Sequence, residues 1–236
     1  MKYHNIRDAS GRFISSLKKK TTKKTTKKAA EKQRIISFYL LDNTGSMSWG
    51  NKIPATIEGF NKVVNDSRKA DKNNNIDSLE YMALFGGSNY FYSKKVEFLN
   101  KDSYRPNEGS TAIYTNTIKA IEFLQNVITK GDKVVLTIFT DGEDNDSRYN
   151  DAEKCKDLIA EKNKEGWVIN FIGAGDRLYV ENVARKMSID ISNTLNYTNT
   201  DIGTSSAFTS LASSRGLYST SVKEKKDKNI GFFAKK

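Results

Sequence analysis

At 236 residues, with 37% hydrophobic and 28% charged residues, the chain has room for one domain of about 190 residues plus tails around a single buried core. No run of about 18 apolar residues occurs, which excludes a spanning helix, and the single cysteine, Cys155, excludes an internal disulfide or a cysteine-built zinc cage. The net charge of +11 is unevenly spread: residues 1–34 hold twelve Lys and Arg against two acids, residues 223–236 hold six Lys against two acids, and the stretch between is mildly acidic.

The N-terminus carries charge with no apolar stretch behind it, so no secretory signal is expected. Together with the lone cysteine this fits a reducing, cytoplasmic setting. Residues 1–33 read as a basic, disordered tail. Lys18–Lys28, KKKTTKKTTKK, repels itself and lacks apolar periodicity, which predicts an extended linker. Residues 223–236 read as a second basic tail. Such tails can contact nucleic acid or another acidic surface, or simply solubilise.

The body, 34–222, alternates two patterns. Ile35–Leu41 is a continuous apolar run, a strand buried on both faces. Ile53–Ala70 carries Ile53, Ile57, Phe60, Val63 and Val64 at helical spacing. Asp71–Asp77 reads as a loop. Leu79–Phe85 and Tyr90–Phe98 read as strands joined around Gly86-Gly87-Ser88-Asn89. Ala112–Thr129 is predicted helical through Ile113, Thr117, Ala120 or Ile121, Leu124 and Ile128, ending near Gly131. Then follow a strand at Lys133–Phe139, a helix at Ala152–Lys164 capped by Gly166, and a strand at Val168–Ile172. A helix at Asp176–Met187, a short strand at Ser192–Tyr197 and a last helix at Ser205–Leu217 complete the body. Buried strands alternating with amphipathic helices predict a doubly wound, mostly parallel α/β sheet covered on both faces. Ligands sit at the carboxyl ends of such strands.

Two loops after buried strands, and a third that opens a helix, concentrate oxygen donors. They are Asp42-Asn43-Thr44-Gly45-Ser46, Glu108-Gly109-Ser110-Thr111 and Thr140-Asp141-Gly142. Alternate oxygens of one loop, with a hydroxyl and a carboxylate from elsewhere, are what a hard divalent cation needs. Two carboxylates balance its charge, and Gly45 and Gly142 are expected to permit a tight backbone path. Each piece alone is an ordinary turn or helix-cap composition; the order and the strand context set them apart.

These motifs resemble the metal-ion-dependent adhesion site of the von Willebrand factor type A (vWA) domains, an Asp-x-Ser/Thr-x-Ser loop with a distant Thr and a distant Asp. The match is Asp42, Thr44, Ser46, Thr111 and Asp141, with Thr44 in a place often held by Ser. Phe171-Ile172-Gly173-Ala174-Gly175 and Leu195-Asn196-Tyr197 resemble the family's closing elements, so the resemblance spans about Arg34 to Ser221. It implies a doubly wound sheet with one short antiparallel edge strand and a site for Mg²⁺ or Mn²⁺. It also implies a binding module, not an enzyme, that captures an acidic side chain of a protein partner through the metal. Arg7–Phe13 resembles a short basic element at the start of small bacteriophage and bacterial proteins, which implies such an origin, in the host cytoplasm or carried with a virion.

Rival chemistry finds less in the sequence. A haloacid-dehalogenase-like phosphatase needs a second Asp where Thr44 stands. A Ser hydrolase needs a Gly-x-Ser-x-Gly elbow and a His base, and the one histidine is His4. Gly173-Ala174-Gly175 begins a dinucleotide fingerprint but Leu178 replaces its third glycine. Tyr90, Phe91 and Tyr92 beside Lys94 and Lys95 could stack on single-stranded nucleic acid, although alternating burial in a strand accounts for them as well. A nucleic-acid-associated protein that binds through its tails is the second reading, and a metal-dependent hydrolase the third.

Overall fold

The computed structural model describes residues 32–226 and 231–233, together with two short strands nearer the start. Residues 1–31 and 32–236 are separate units. In the first, β1 (Ile6–Arg7) pairs antiparallel with β2 (Phe13–Ile14), Ile6 opposite Ile14, within the segment read as a disordered tail. The predicted Lys18–Lys28 linker lies outside the described residues.

The second unit grows from β3 (Arg34–Asp42), whose apolar run leaves every residue after Arg34 buried. Such a strand needs cover on both faces and neighbours on both edges. It lies between β4 (Asp77–Phe85) and β6 (Lys133–Thr140), parallel to each. The sheet order is β5-β4-β3-β6-β7-β8, where β5 is Phe91–Lys95, β7 is Val168–Ala174 and β8 is Thr194–Tyr197. Only the β4–β5 pair is antiparallel, as a hairpin around residues 86–90 dictates, and β5 forms one edge. The fold is thus the doubly wound α/β sheet with a short antiparallel edge strand.

Because side chains alternate along a strand, Ile36, Phe38 and Leu40 enter one core. There they meet Ile121 and Leu124 of α2 (Ile113–Val127), Ile159 of α3 (Asp151–Lys164) and Val180 of α4 (Arg177–Lys186). Tyr39 and Leu41 enter the other. They pack with Phe60, Val63 and Val64 of α1 (Lys52–Asn73) and with Phe208 and Leu211 of α5 (Asp201–Lys223). Both Ala120 and Ile121, alternatives at one point of the α2 stripe, are buried, and so is Cys155 on α3. Burial pushes the Cys155 thiol well above its ordinary pKa, so it is an inert packing group.

Boundaries moved where a polar side chain found a partner. α1 runs on to Asn73 through the expected loop, because Asp71 is buried and bound by Arg215 and Ser78. The connection shrinks to 74–76, with Asn75 in the left-handed region. α5 begins at Asp201, four residues early, since the Thr200 side chain accepts from Gly203 N at 3.1 Å and caps it. It also continues to Lys223. Beyond it, Phe232 N donates to Asn193 Oδ1 and Phe233 N to Ser192 O, both at 2.9 Å. Both rings pack on the core, so this part of the basic C-terminal segment belongs to the body.

Candidate functional site

β3 and β6 end side by side, and each delivers a carboxylate as it leaves the sheet. Asp42, the last residue of β3, is fully buried. Its Oδ1 accepts from Thr44 N at 2.8 Å, turning the loop, and its Oδ2 accepts from Thr140 Oγ1 at 2.5 Å. Burial pushes the Asp42 carboxyl up to about 6, against the pull of those hydrogen bonds, and nearby Asp141 adds to the rise. Two tyrosines brace the strand ends: Tyr104 OH donates to the Asp42 carbonyl at 2.8 Å, and Tyr197 OH donates to the Thr140 carbonyl at 3.2 Å.

From Asp42 the chain enters a short 3₁₀ turn, Gly45–Ser48. Gly45 N donates to Glu108 O at 2.8 Å, which ties this loop to the one carrying Thr111. Thr44 Oγ1 lies 3.0 Å from Ser46 Oγ, which donates to Asp141 Oδ1 at 2.6 Å. Thr111 is buried just ahead of α2. Its N–H donates to Asn145 Oδ1, and its carbonyl accepts from Asn145 N and Asp146 N, which locks it to the Asp141 loop. A Cβ added at Gly142 would come 3.3 Å from Thr111 Oγ1. All five residues singled out in the sequence therefore gather where β3, β6 and the start of α2 meet.

The glycine expectation needs correction. Neither Gly45 nor Gly142 has positive φ; among the loops at this end that falls to Gly50 and Gly175. Gly142 matters for space against Thr111, and Gly45 has only an ordinary contact with Glu108. Gly173 and Gly175 likewise serve packing, close against Val180 and Tyr179 of α4.

The sequence reading missed Lys52. It is the first residue of α1, its side chain is 3% exposed, and its Nζ forms an ion pair with the fully buried Asp141 carboxylate. Nζ also donates to Asn199 Oδ1 at 2.7 Å. The expected helix began one residue later, at the first apolar position, so Lys52 read as a solvated flank. Its only signal was its place, six residues after Ser46 and next to a carboxylate-rich loop set.

Chemically the set offers oxygen alone: two buried carboxylates and the hydroxyls of Thr44, Ser46 and Thr111. Among the described residues no group of three His, Cys, Asp or Glu side chains could hold a metal, so neutral oxygens, from hydroxyls and water, would complete a coordination shell. That donor set fits Mg²⁺ or Mn²⁺.

No family model and no curated protein matches the chain. Solved structures do. The pilus adhesin SpaC of Lactobacillus rhamnosus GG superposes with a TM-score of 0.59 at 12% identity, over 79% of this chain and 31% of the adhesin. Proximal thread matrix protein 1 from the mussel byssus, described with a zinc-occupied MIDAS motif, gives 0.55 at 15% identity, over 80% of this chain and 46% of that one. The SpRpn10 VWA domain gives 0.54 at 11% identity, over 73% of this chain and 92% of the domain. The chain thus spans a third to a half of the adhesin and thread-matrix chains. At these identities the likeness is one of fold, and the fold is that of the vWA domains.

Proposed function

We propose that the protein is a divalent-metal-dependent binding module that captures an acidic side chain of a protein partner through Mg²⁺ or Mn²⁺. The observation that carries this reading is the convergence of Asp42, Thr44, Ser46, Thr111 and Asp141 from three loops at one end of the sheet. The surroundings support it. Trp49, Tyr149, Leu178 and Ile202 are 68%, 93%, 70% and 79% exposed. They follow β3, β6, β7 and β8 respectively, so all stand at the same end of the sheet as the carboxylates. Exposed large apolar side chains gathered at one end mark an interaction surface. The partner in this reading presents an Asp or Glu flanked by apolar residues.

Asp42, Thr44, Ser46, Thr111 and Asp141 would hold the ion, which supplies the positive charge that a partner carboxylate needs. The buried carboxylates orient the hydroxyls: Ser46 is aimed by Asp141, and Asp42 is fixed by Thr140 and the Thr44 amide. A binding role suits these groups better than catalysis. The Ser46 hydroxyl points to a carboxylate that an ammonium already neutralises, so it lacks an activating base. We place the protein in a bacterial cytoplasm, that of the host if a phage encodes it, or carried with a virion. Among the described residues no helix is long and apolar enough to cross a membrane.

Calorimetry tests the metal half. Wild type should bind Mg²⁺ in the micromolar to millimolar range, roughly as expected for a site with few charged ligands, and Asp42→Ala should not. Absence of heat at millimolar Mg²⁺, or equal binding by Asp42→Ala, would overturn the reading. Partner capture that survives EDTA unchanged would overturn the partner half.

A further inference from the structure

The site contains a cation of its own. Lys52 Nζ is buried against Asp141 and Asn199 Oδ1, although a lysine stem ordinarily carries its ammonium out to water. Helix formation does not explain the placement. A positive charge in the first turn of α1 faces the positive end of the helix dipole, and no acidic residue in that turn offsets it. The ammonium is held there by Asp141.

Charge counting gives the reason. Asp42 and Asp141 leave two carboxylates buried together, which is costly without positive charge nearby. Lys52 supplies one such charge. A divalent ion on the same hydroxyls and carboxylates would supply two more. The ammonium and the metal ion would then repel each other while sharing one carboxylate. Lys52 has somewhere to go: its Nζ already lies 5.8 Å from the ring centroid of Trp49, which is 68% exposed, and an aromatic face accepts an ammonium.

We infer that Lys52 is the resident cation of the metal-free site and competes with the divalent ion for Asp141, thereby setting the affinity for metal. The inference rests on the metal-binding reading above. Metal entry displaces the ammonium from Asp141 and breaks its hydrogen bond to Asn199, which lies between β8 and α5. Loading the site is thereby coupled to the β8–α5 loop, where Thr200 caps α5.

The full-length chain, stripped of metal, is titrated with Mg²⁺ by calorimetry as wild type and as Lys52→Met. The variant should bind roughly tenfold tighter or more, since it has no competitor for a buried carboxylate. Its melting temperature should fall below wild type in EDTA and be restored by Mg²⁺. In wild type, reductive methylation read by mass spectrometry should label Lys52 faster at saturating Mg²⁺ than in EDTA, while exposed Lys69 stays constant. That second measurement decides the matter if Lys52→Met does not fold. Equal affinities of wild type and variant, or Lys52 labelling unmoved by saturating metal, would overturn the inference and leave the metal site standing. Failure of both proteins to bind metal would overturn the metal reading and the competition with it.

Discussion

Arg215 of α5 and Asp71 of α1, 144 residues apart, form a two-pronged ion pair in the core, with Nη1 3.1 Å from Oδ1 and Nη2 2.7 Å from Oδ2. Both side chains are almost fully buried. Each is held by a further bond: Arg215 Nε donates to Ser37 Oγ at 3.0 Å, and Ser78 Oγ donates to Asp71 Oδ2 at 2.7 Å. Removing one partner strands the other charge. We predict that Arg215→Met loses about 3–5 kcal/mol of stability. The double variant Arg215→Met/Asp71→Asn recovers part of it, because no buried charge remains. Urea unfolding measures both; a loss below about 1 kcal/mol, typical of exposed pairs, would contradict this account.

The same two helices meet at Gly59. A Cβ there would stand 2.6 Å from Phe208 Cδ2, and Phe208 is stacked on Phe139 at 4.3 Å between centroids. Alanine improves helix propensity by up to about 1 kcal/mol, but overpacking costs about 1–3 kcal/mol. We predict net destabilisation for Gly59→Ala and more for Gly59→Val. Gly216→Ala is the control: its Cβ would be 3.9 Å from Ala70 Cβ, an ordinary contact, so it should stabilise by about 0.5–1 kcal/mol. Thermal or urea melts of the pair give opposite signs if packing decides.

Occupying the proposed metal site should stabilise the fold by mass action. We predict about 2.7 kcal/mol at a hundredfold excess of Mg²⁺ over its dissociation constant, and no such gain for Asp42→Ala, which loses charge balance. Thr111→Ala removes one neutral ligand and should keep the fold and most metal binding. Because Thr111 is bonded to the Asp141 loop and leads into α2, we expect partner capture to fail in that variant. Melts with and without Mg²⁺, beside a pull-down in each variant, separate the two. Mg²⁺-dependent capture retained by Asp42→Ala would detach partner binding from this site.

Deleting residues 1–30 should leave cooperative unfolding intact, since that segment has no apolar periodicity to contribute to a core. Any affinity of the full chain for DNA should fall steeply with salt, because phosphate contacts by lysines release counterions, and should weaken in the truncated chain, which keeps only the lysines of residues 223–236 as a basic tail. A truncated chain that unfolds without cooperativity would show that the first thirty residues take part in the fold.

The layering was readable because hydrophobic period alone determines it: the unbroken Ile35–Leu41 run demands a two-sided sheet, and the Phe60, Val63, Val64 stripe demands a helix on it. The loop carboxylates were readable because Asp42 and Asp141 close apolar strands, and the structure gathers them with Thr44, Ser46 and Thr111. What stayed hidden were polar groups whose roles depend on distant partners. Asp71 and Arg215 each look like surface residues in their own windows. Lys52 precedes an apolar stripe and reads as solvated until Asp141 is brought beside it. Phe232, in a lysine-rich end, gave no hint that Asn193 would receive its amide.

Tyr104 and Tyr197 carry one more consequence. Each phenol satisfies the carbonyl at which a central strand leaves the ladder, and a buried carbonyl left unmet costs about 1–3 kcal/mol. Neither tyrosine belongs to the loop it braces: Tyr104 precedes α2, and Tyr197 ends β8. The terminations of β3 and β6 are therefore anchored in part from outside, and exposed positions in the loops beyond them, such as Trp49 and Tyr149, can vary in size and chemistry without unzipping the sheet. This end of the molecule is a graft point, where loop sequences transplanted from another chain should inherit a rigid seat.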